Sequence, residues 1–198
     1  MIPVGVIAQG GATVPSAPTS FSATPSSFSV SLSWAAPSNN GGLAVTSYTL
    51  KRGATTIYTG PDTSFNDTGL SAVTGYSYTV LATNLLGNGP TASISTTTTA
   101  GVPSAPVISG SSSGGSTENP AVYYVSWTVP ANNGSAITGY VVESYSDYNG
   151  YWAYSYSTAG TSGTFYVDIG GDYLIRVYAT NAIGSGPPSN AFGIGWYE

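Results

Sequence analysis

The side chains nearest to a reactive arrangement are two pairs of aspartates, Asp62 with Asp67 and Asp168 with Asp172. Two carboxylates across a cleft can hydrolyse a glycosidic bond, one as acid and one as base or nucleophile. Both pairs, however, sit among Gly, Ser, Thr and Asn, in segments that read as turns, where Asp hydrogen-bonds to its own backbone. Turn chemistry is therefore their expected role, and calcium binding would need roughly six to eight oxygens. The chain has no His and no Cys. That removes Ser-His-Asp and Cys-His nucleophile sets, ordinary zinc sites and disulfides. No Gly-rich loop carrying a Lys follows a strand, so phosphate cradling has no support. The expectation is a chain with no catalytic residues, no cofactor and no metal, and hence not an enzyme.

Charge narrows the partners further. Charged residues make up 6% of the chain, the net charge is −5, and the basic side chains are Lys51, Arg52 and Arg176. Nucleic-acid binding needs clustered Lys and Arg to neutralise phosphates, so it is not expected. The 41% apolar and 13% aromatic content is that of a folded chain. The abundant Ser, Thr, Gly and Tyr suit pleated surfaces and tight turns. No segment keeps a helical apolar period, and none is long and apolar enough to be read as a membrane span.

The elements that must hold any site emerge from an internal repeat. Val14-Pro-Ser-Ala-Pro18 returns as Val102-Pro-Ser-Ala-Pro106. Ser33-Trp34 with Pro37 returns as Ser126-Trp127 with Pro130. Asn39-Asn40-Gly41 returns as Asn132-Asn133-Gly134, and Tyr48 as Tyr140. Ala82-Thr-Asn84 with Gly87, Gly89 and Pro90 returns as Ala179-Thr-Asn181 with Gly184, Gly186 and Pro187. Within each copy, apolar and polar residues alternate as in strands with one buried face. The inward sets are Val30, Leu32, Trp34 and Tyr76, Tyr78, Val80, Ala82, then Tyr123, Val125, Trp127 and Tyr173, Ile175, Val177, Ala179. The expected division is an N-terminal arm over 1–14, one domain over 15–101 and a second over 102–198.

These repeated motifs resemble the fibronectin type III family over nearly the whole chain. The resemblance implies an all-β fold, two tandem seven-stranded fibronectin type III-like sandwiches behind the short N-terminal arm. It also implies a structural core containing Trp34, Trp127, Tyr48 and Tyr140. Tyr76 and Tyr173 resemble the corner tyrosine that ties the turn before its strand through the hydroxyl. The second copy departs from the pattern at Val167 and Asp168-Ile-Gly-Gly171, where the first has Leu70.

The copies differ in their aromatics, because twelve of the sixteen tyrosines lie in the second. Asn149-Gly150 signals a hairpin turn between Tyr145 and Tyr148 on one side and Tyr151, Trp152, Tyr154 and Tyr156 on the other. Strict alternation puts Trp152, Tyr154 and Tyr156 on one face. The outward positions Val141, Glu143, Tyr145, Leu174, Arg176 and Tyr178 stand where the first copy has Thr49, Lys51, Ser77, Thr79, Leu81 and Thr83, a mostly polar face. Clustered exposed aromatics mark contacts, so Tyr145, Tyr148, Tyr151, Trp152, Tyr154, Tyr156 and Tyr178 are the candidate contact residues. Three readings stay open: a protein interface including self-association, a carbohydrate contact, and rings that merely cover the core and the turn.

The expected function is a non-enzymatic structural or adhesion protein. Read as complete from Met1 with no export signal, the chain resembles tandem sandwiches that decorate phage heads and tails. Its partners would then be capsid or tail proteins and its location the virion. The alternative is a carbohydrate-binding accessory module of an extracellular polysaccharide-degrading system, with a surface glycan as partner.

Overall fold

The computed structural model describes residues 11–113, 121–146, 151–167 and 173–194. The chain forms two compact units, Met1–Thr99 and Ala100–Glu198, called modules 1 and 2 below. Module 1 contains β1 (Thr19–Pro25), β2 (Ser29–Ala35), β3 (Ser47–Arg52), β4 (Thr55–Gly60), β5 (Ser64–Thr68), β6 (Gly75–Asn84) and β7 (Gly87–Thr97). Module 2 contains β8 (Ile108–Ser113), β9 (Ala121–Trp127), β10 (Ile137–Ser146), β11 (Tyr151–Thr158), β12 (Ser162–Val167), β13 (Tyr173–Asn181) and β14 (Phe192–Ile194). Each module pairs a three-stranded sheet, β1-β2-β5 or β8-β9-β12, with a four-stranded one, β4-β3-β6-β7 or β11-β10-β13-β14. Among the described residues no helix is long and apolar enough to cross a membrane.

Alternation explains the sandwich. In β2, Val30, Leu32 and Trp34 are buried while Ser31, Ser33 and Ala35 are exposed. Tyr48 and Leu50 of β3 and Tyr78, Val80 and Ala82 of β6 face them across the core. Module 2 repeats the arrangement with Tyr123, Val125, Trp127, Tyr140, Val142, Ile175, Val177 and Ala179. Each side chain faces the layer its strand parity dictates, and the burial of these apolar surfaces drives assembly. Trp34 meets Phe21, Tyr48 and Tyr58 at ring-centroid distances of 6.2, 5.8 and 6.3 Å. Trp127 meets Tyr140 at 5.6 Å. Module 2 ends in a short β14 because Pro187 and Pro188, which lack backbone N–H donors, interrupt the strand. Ser189 bridges the gap, its hydroxyl accepting from Val177 N at 3.0 Å.

The corner tyrosine is present in module 1, where the Tyr76 hydroxyl oxygen accepts the Ser71 N–H at 3.0 Å. The turn that Tyr173 would tie lies outside the described residues. So do Asp168, Asp172 and the Asn149-Gly150 turn, although β10 and β11 on either side of that turn pair antiparallel. Asp67 departs from its expected place in a turn. It stands in β5, buried, where both carboxylate oxygens accept from one Arg52 nitrogen at 2.9 Å. One of them also accepts the Tyr78 hydroxyl proton at 2.9 Å.

The repeated Ala-Thr-Asn motif has a structural role that its sequence leaves unstated. Asn84, at the end of β6, donates to the carbonyls of Thr13 and Asn40 at 2.8 and 2.9 Å and accepts from Leu86 N at 2.9 Å. Asn181 likewise donates to Gly101 O at 2.8 Å and accepts from Ile183 N at 2.9 Å. Each Asn thus stitches the segment leading into its module to the end of a core strand. Of the expected arm, residues 1–10 lie outside the described residues, and Thr13 is held within module 1, its N–H bonded to Gly41 O at 2.9 Å. Asn84→Ala would take their side-chain partner from the Thr13 and Asn40 carbonyls and from the Leu86 N–H. We expect a loss of about 2 kcal/mol from module 1, seen as a lower melting temperature by calorimetry. A melting curve that matches the wild type would refute the stitch.

Candidate functional site

The outward side of β10, β11 and β13 carries the aromatic patch. Its placement depends on a bulge. From Tyr140 to Ser144 of β10, each residue faces one residue of β11, ending with Ser144 opposite Tyr154. The next pair is Tyr145 opposite Trp152, which leaves Ala153 as an extra residue. A bulge of this kind reverses the alternation on its strand. Trp152 therefore joins Tyr145 on the outward side. Tyr156 stands opposite the buried Val142 and packs against the core, its ring 5.9 Å from that of Phe165. The expectation that Trp152 and Tyr156 share a face is corrected, and Tyr156 leaves the set of contact candidates. Tyr151 and Tyr154 stand opposite Ser146 and Ser144 in the ladder, and Tyr148 lies outside the described residues.

Arg176 is the centre of the remaining patch. Register places it opposite Glu143, with Leu174 opposite Tyr145 and Tyr178 opposite Val141. Its Nε and Nη2 both reach Glu143 Oε2 at 2.8 Å. Its guanidinium carbon lies 3.8 Å from the Trp152 ring centroid and 5.3 Å from that of Tyr178. The Tyr145 and Trp152 rings lie 5.5 Å apart at 56°. A guanidinium stacks on an indole face because the ring quadrupole attracts the cation and the planar group is weakly hydrated. Glu143 neutralises that charge from the side. Burial raises the Tyr178 hydroxyl above its ordinary pKa, and the neighbouring Glu143 adds to the effect, so the ring stays neutral at physiological pH. The result is a locked, charge-balanced platform of half-buried rings, with Leu174 38% exposed beside it.

Among the described residues no group of three or more His, Cys, Asp or Glu that could hold a metal ion occurs. Asp67 is committed to Arg52 and Tyr78, and Asp62 accepts the Tyr58 hydroxyl at 2.9 Å. A second aromatic surface escaped the sequence reading. Tyr124 and Tyr166, on β9 and β12, are 54% and 73% exposed on the opposite sheet of module 2. The substitution of Tyr124 for Ser31 was nonetheless visible three residues before each core Trp.

The paired three- and four-stranded sheets, the core tryptophans and the corner tyrosine make this a tandem fibronectin type III-like sandwich protein. No family model matches the chain. A stretch of 140 residues is 39% identical to part of Exoglucanase B of Cellulomonas fimi, covering 66% of this chain and 12% of that protein. Another of 75 residues is 45% identical to part of an alpha-amylase of Niallia circulans, covering 37% of this chain and 6% of that protein. The chain therefore matches only a small share of either curated relative. Among solved structures, the chicken CNTN1 FN1-FN3 domains align with 92% of this chain and 67% of theirs, at 19% identity and a TM-score of 0.44.

Proposed function

We propose that the chain is a non-catalytic accessory segment of an extracellular polysaccharide-degrading system, and that module 2 contacts the glycan through Tyr145, Trp152 and Tyr178 around Arg176. The observation that carries this reading is the pair of relatives. An exoglucanase and an alpha-amylase share sequence with this chain over small parts of their length. Sequence shared with enzymes of different names is not what distinguishes their reactions, and this supports an accessory role. The relatives favour this reading over the virion, for which surface composition remains the support. The platform fits the role because rigid aromatic rings offer apolar area to the C–H faces of sugars at low entropic cost.

Retention on microcrystalline cellulose and on insoluble starch tests the proposal. The chain is expected to bind at least one of them, and Trp152→Ala to weaken that binding about tenfold, with no reducing sugar released. Failure to bind either would defeat the glycan contact. Sugar release by the purified chain would defeat the non-catalytic role. Arg and Trp are also frequent centres of protein interfaces, and that gives a second reading. Trp152-dependent self-association in sedimentation, without glucan retention, would favour it.

A further inference from the structure

The outer face of the β8-β9-β12 sheet differs between the modules in a way that the platform does not account for. Across module 2 this face has one row of Ser109, Ser126 and Ser162 and a second of Ser111, Tyr124 and Thr164. Tyr166 stands opposite Val122, one outward position beyond Thr164. Module 1 carries Ser22, Ser33 and Ser64 in the first row, then Ser31 opposite Asn66, then Ser29 opposite Thr68. The hydroxyl row is thus common to both modules. The tyrosines are specific to module 2, where Tyr124 replaces Ser31 and Tyr166 replaces Thr68.

Three features of this face point to a ligand. First, the tall Tyr124 ring beside small neighbours leaves an open hollow of about 480 Å³, bounded by Ser109, Ser126, Ser162 and Thr164. Second, the face carries no formal charge among the described residues, and its polar groups are hydroxyls able both to donate and to accept. Third, the sheet beneath it is braced from within. A side chain at Gly110 would meet the Phe192 ring at 2.8 Å, and one at Gly163 would collide with the Tyr156 hydroxyl. Those two core rings therefore fill the space that side chains at 110 and 163 would take beneath the hollow.

The geometry points to a second contact site on this face for a neutral polysaccharide chain. Tyr124 and Tyr166, diagonal neighbours on adjacent strands and so about 7–8 Å apart, somewhat less at Cβ, would stack on sugar rings. The serine row beside them would exchange hydrogen bonds with the sugar hydroxyls. An anionic glycan or a basic peptide finds no partner charge here. This inference rests on the accessory-segment reading and adds a second surface to it.

The test replaces each tyrosine by the residue module 1 holds in its place. The double variant Tyr124→Ser, Tyr166→Thr is assayed in the full chain against microcrystalline cellulose and insoluble starch, beside wild type and Trp152→Ala. Both tyrosines are exposed, so its melting temperature should match the wild type, and calorimetry checks this. We expect at least a tenfold loss of retention on the glucan that the wild type binds. Undiminished retention in the double variant, with loss in Trp152→Ala, overturns this second site and leaves the first in place. No retention of the wild type overturns both. Equal losses at unchanged melting temperature support two sites engaging one chain.

Discussion

Trp34→Ala should cost module 1 about 4–5 kcal/mol, the upper part of the range for buried Trp or Phe truncations. The indole is 5% exposed, and three aromatic rings stand around it within 6.3 Å. Phe21, Tyr48 and Tyr58 come from different strands, so relaxation around the lost ring must move β1, β3 and β4 together. Close-packed interiors resist such movement and leave a cavity. Trp127→Ala is expected to cost less, about 3 kcal/mol, because among the described residues Tyr140 is the one ring paired with it. Neither indole N–H has a hydrogen-bond acceptor. Phenylalanine at either position would therefore remove packing volume without removing a hydrogen bond, and should be milder than alanine. Calorimetry of the full chain, with the module transitions assigned by the single variants, measures all of this. Equal losses at Trp34 and Trp127 would show that the surrounding rings do not set the cost.

Much of the sandwich was legible because its determinants are local and repeated. Val30, Leu32 and Trp34 alternate with serine, and the same pattern returns in β9, so strand parity alone predicts the buried set. The Tyr76 corner followed from the family resemblance of its place at the head of β6. What alternation could not reveal was any tertiary role for a polar residue. Asn84 and Asn181 look like turn residues, yet they stitch segments distant in sequence. Asp67 looks like a turn cap, yet it lies inside a strand because an Arg two positions beyond the core Leu50 reaches back to it. A pairing of that kind depends on register between strands, which no local pattern encodes.

The contact surfaces were less legible for the same reason. Trp152-Ala-Tyr154-Ser-Tyr156 is an unbroken period of two, so it predicts one shared face. The single extra residue at Ala153 moves Trp152 to the other side and sends Tyr156 to the core. Bulges carry only weak sequence signatures unless a glycine marks them, and none stands here. The Glu143–Arg176 pair was readable because both residues sit at outward positions of neighbouring strands. The stacking of Arg176 on Trp152 was not, since it exists only after the bulge has turned the indole outward.

Asp67→Ala is expected to remove about 3 kcal/mol from module 1. Its carboxylate anchors Arg52, whose side chain is 34% exposed, and the fully buried Tyr78 hydroxyl. Deleting a partner from a buried pair ordinarily costs about 3–5 kcal/mol, but Arg52 can turn toward water and recover part of that. Tyr78 cannot, and its orphaned hydroxyl supplies about 1–3 kcal/mol of the loss. The same contact makes module 1 sensitive to alkali. Burial, and then the Asp67 carboxylate, raise the Tyr78 pKa well above its ordinary value of 10.0. Since the folded group holds its proton longer than the unfolded one, the stabilisation is intact below about pH 10. As pH rises beyond that, the unfolded chain releases its proton first, and stability falls with a slope approaching about 1.4 kcal/mol per pH unit. Tyr78→Phe abolishes this slope. It also costs about 1 kcal/mol at neutral pH, where Asp67 loses a donor. Denaturant unfolding from pH 8 to 11 should therefore show wild type and Tyr78→Phe converging above pH 10, and curves that stay parallel would rule out Tyr78 as the source. In module 2 Ile175 occupies the equivalent place, so an Asp67 network is absent there, and the alkaline loss attributable to it belongs to module 1.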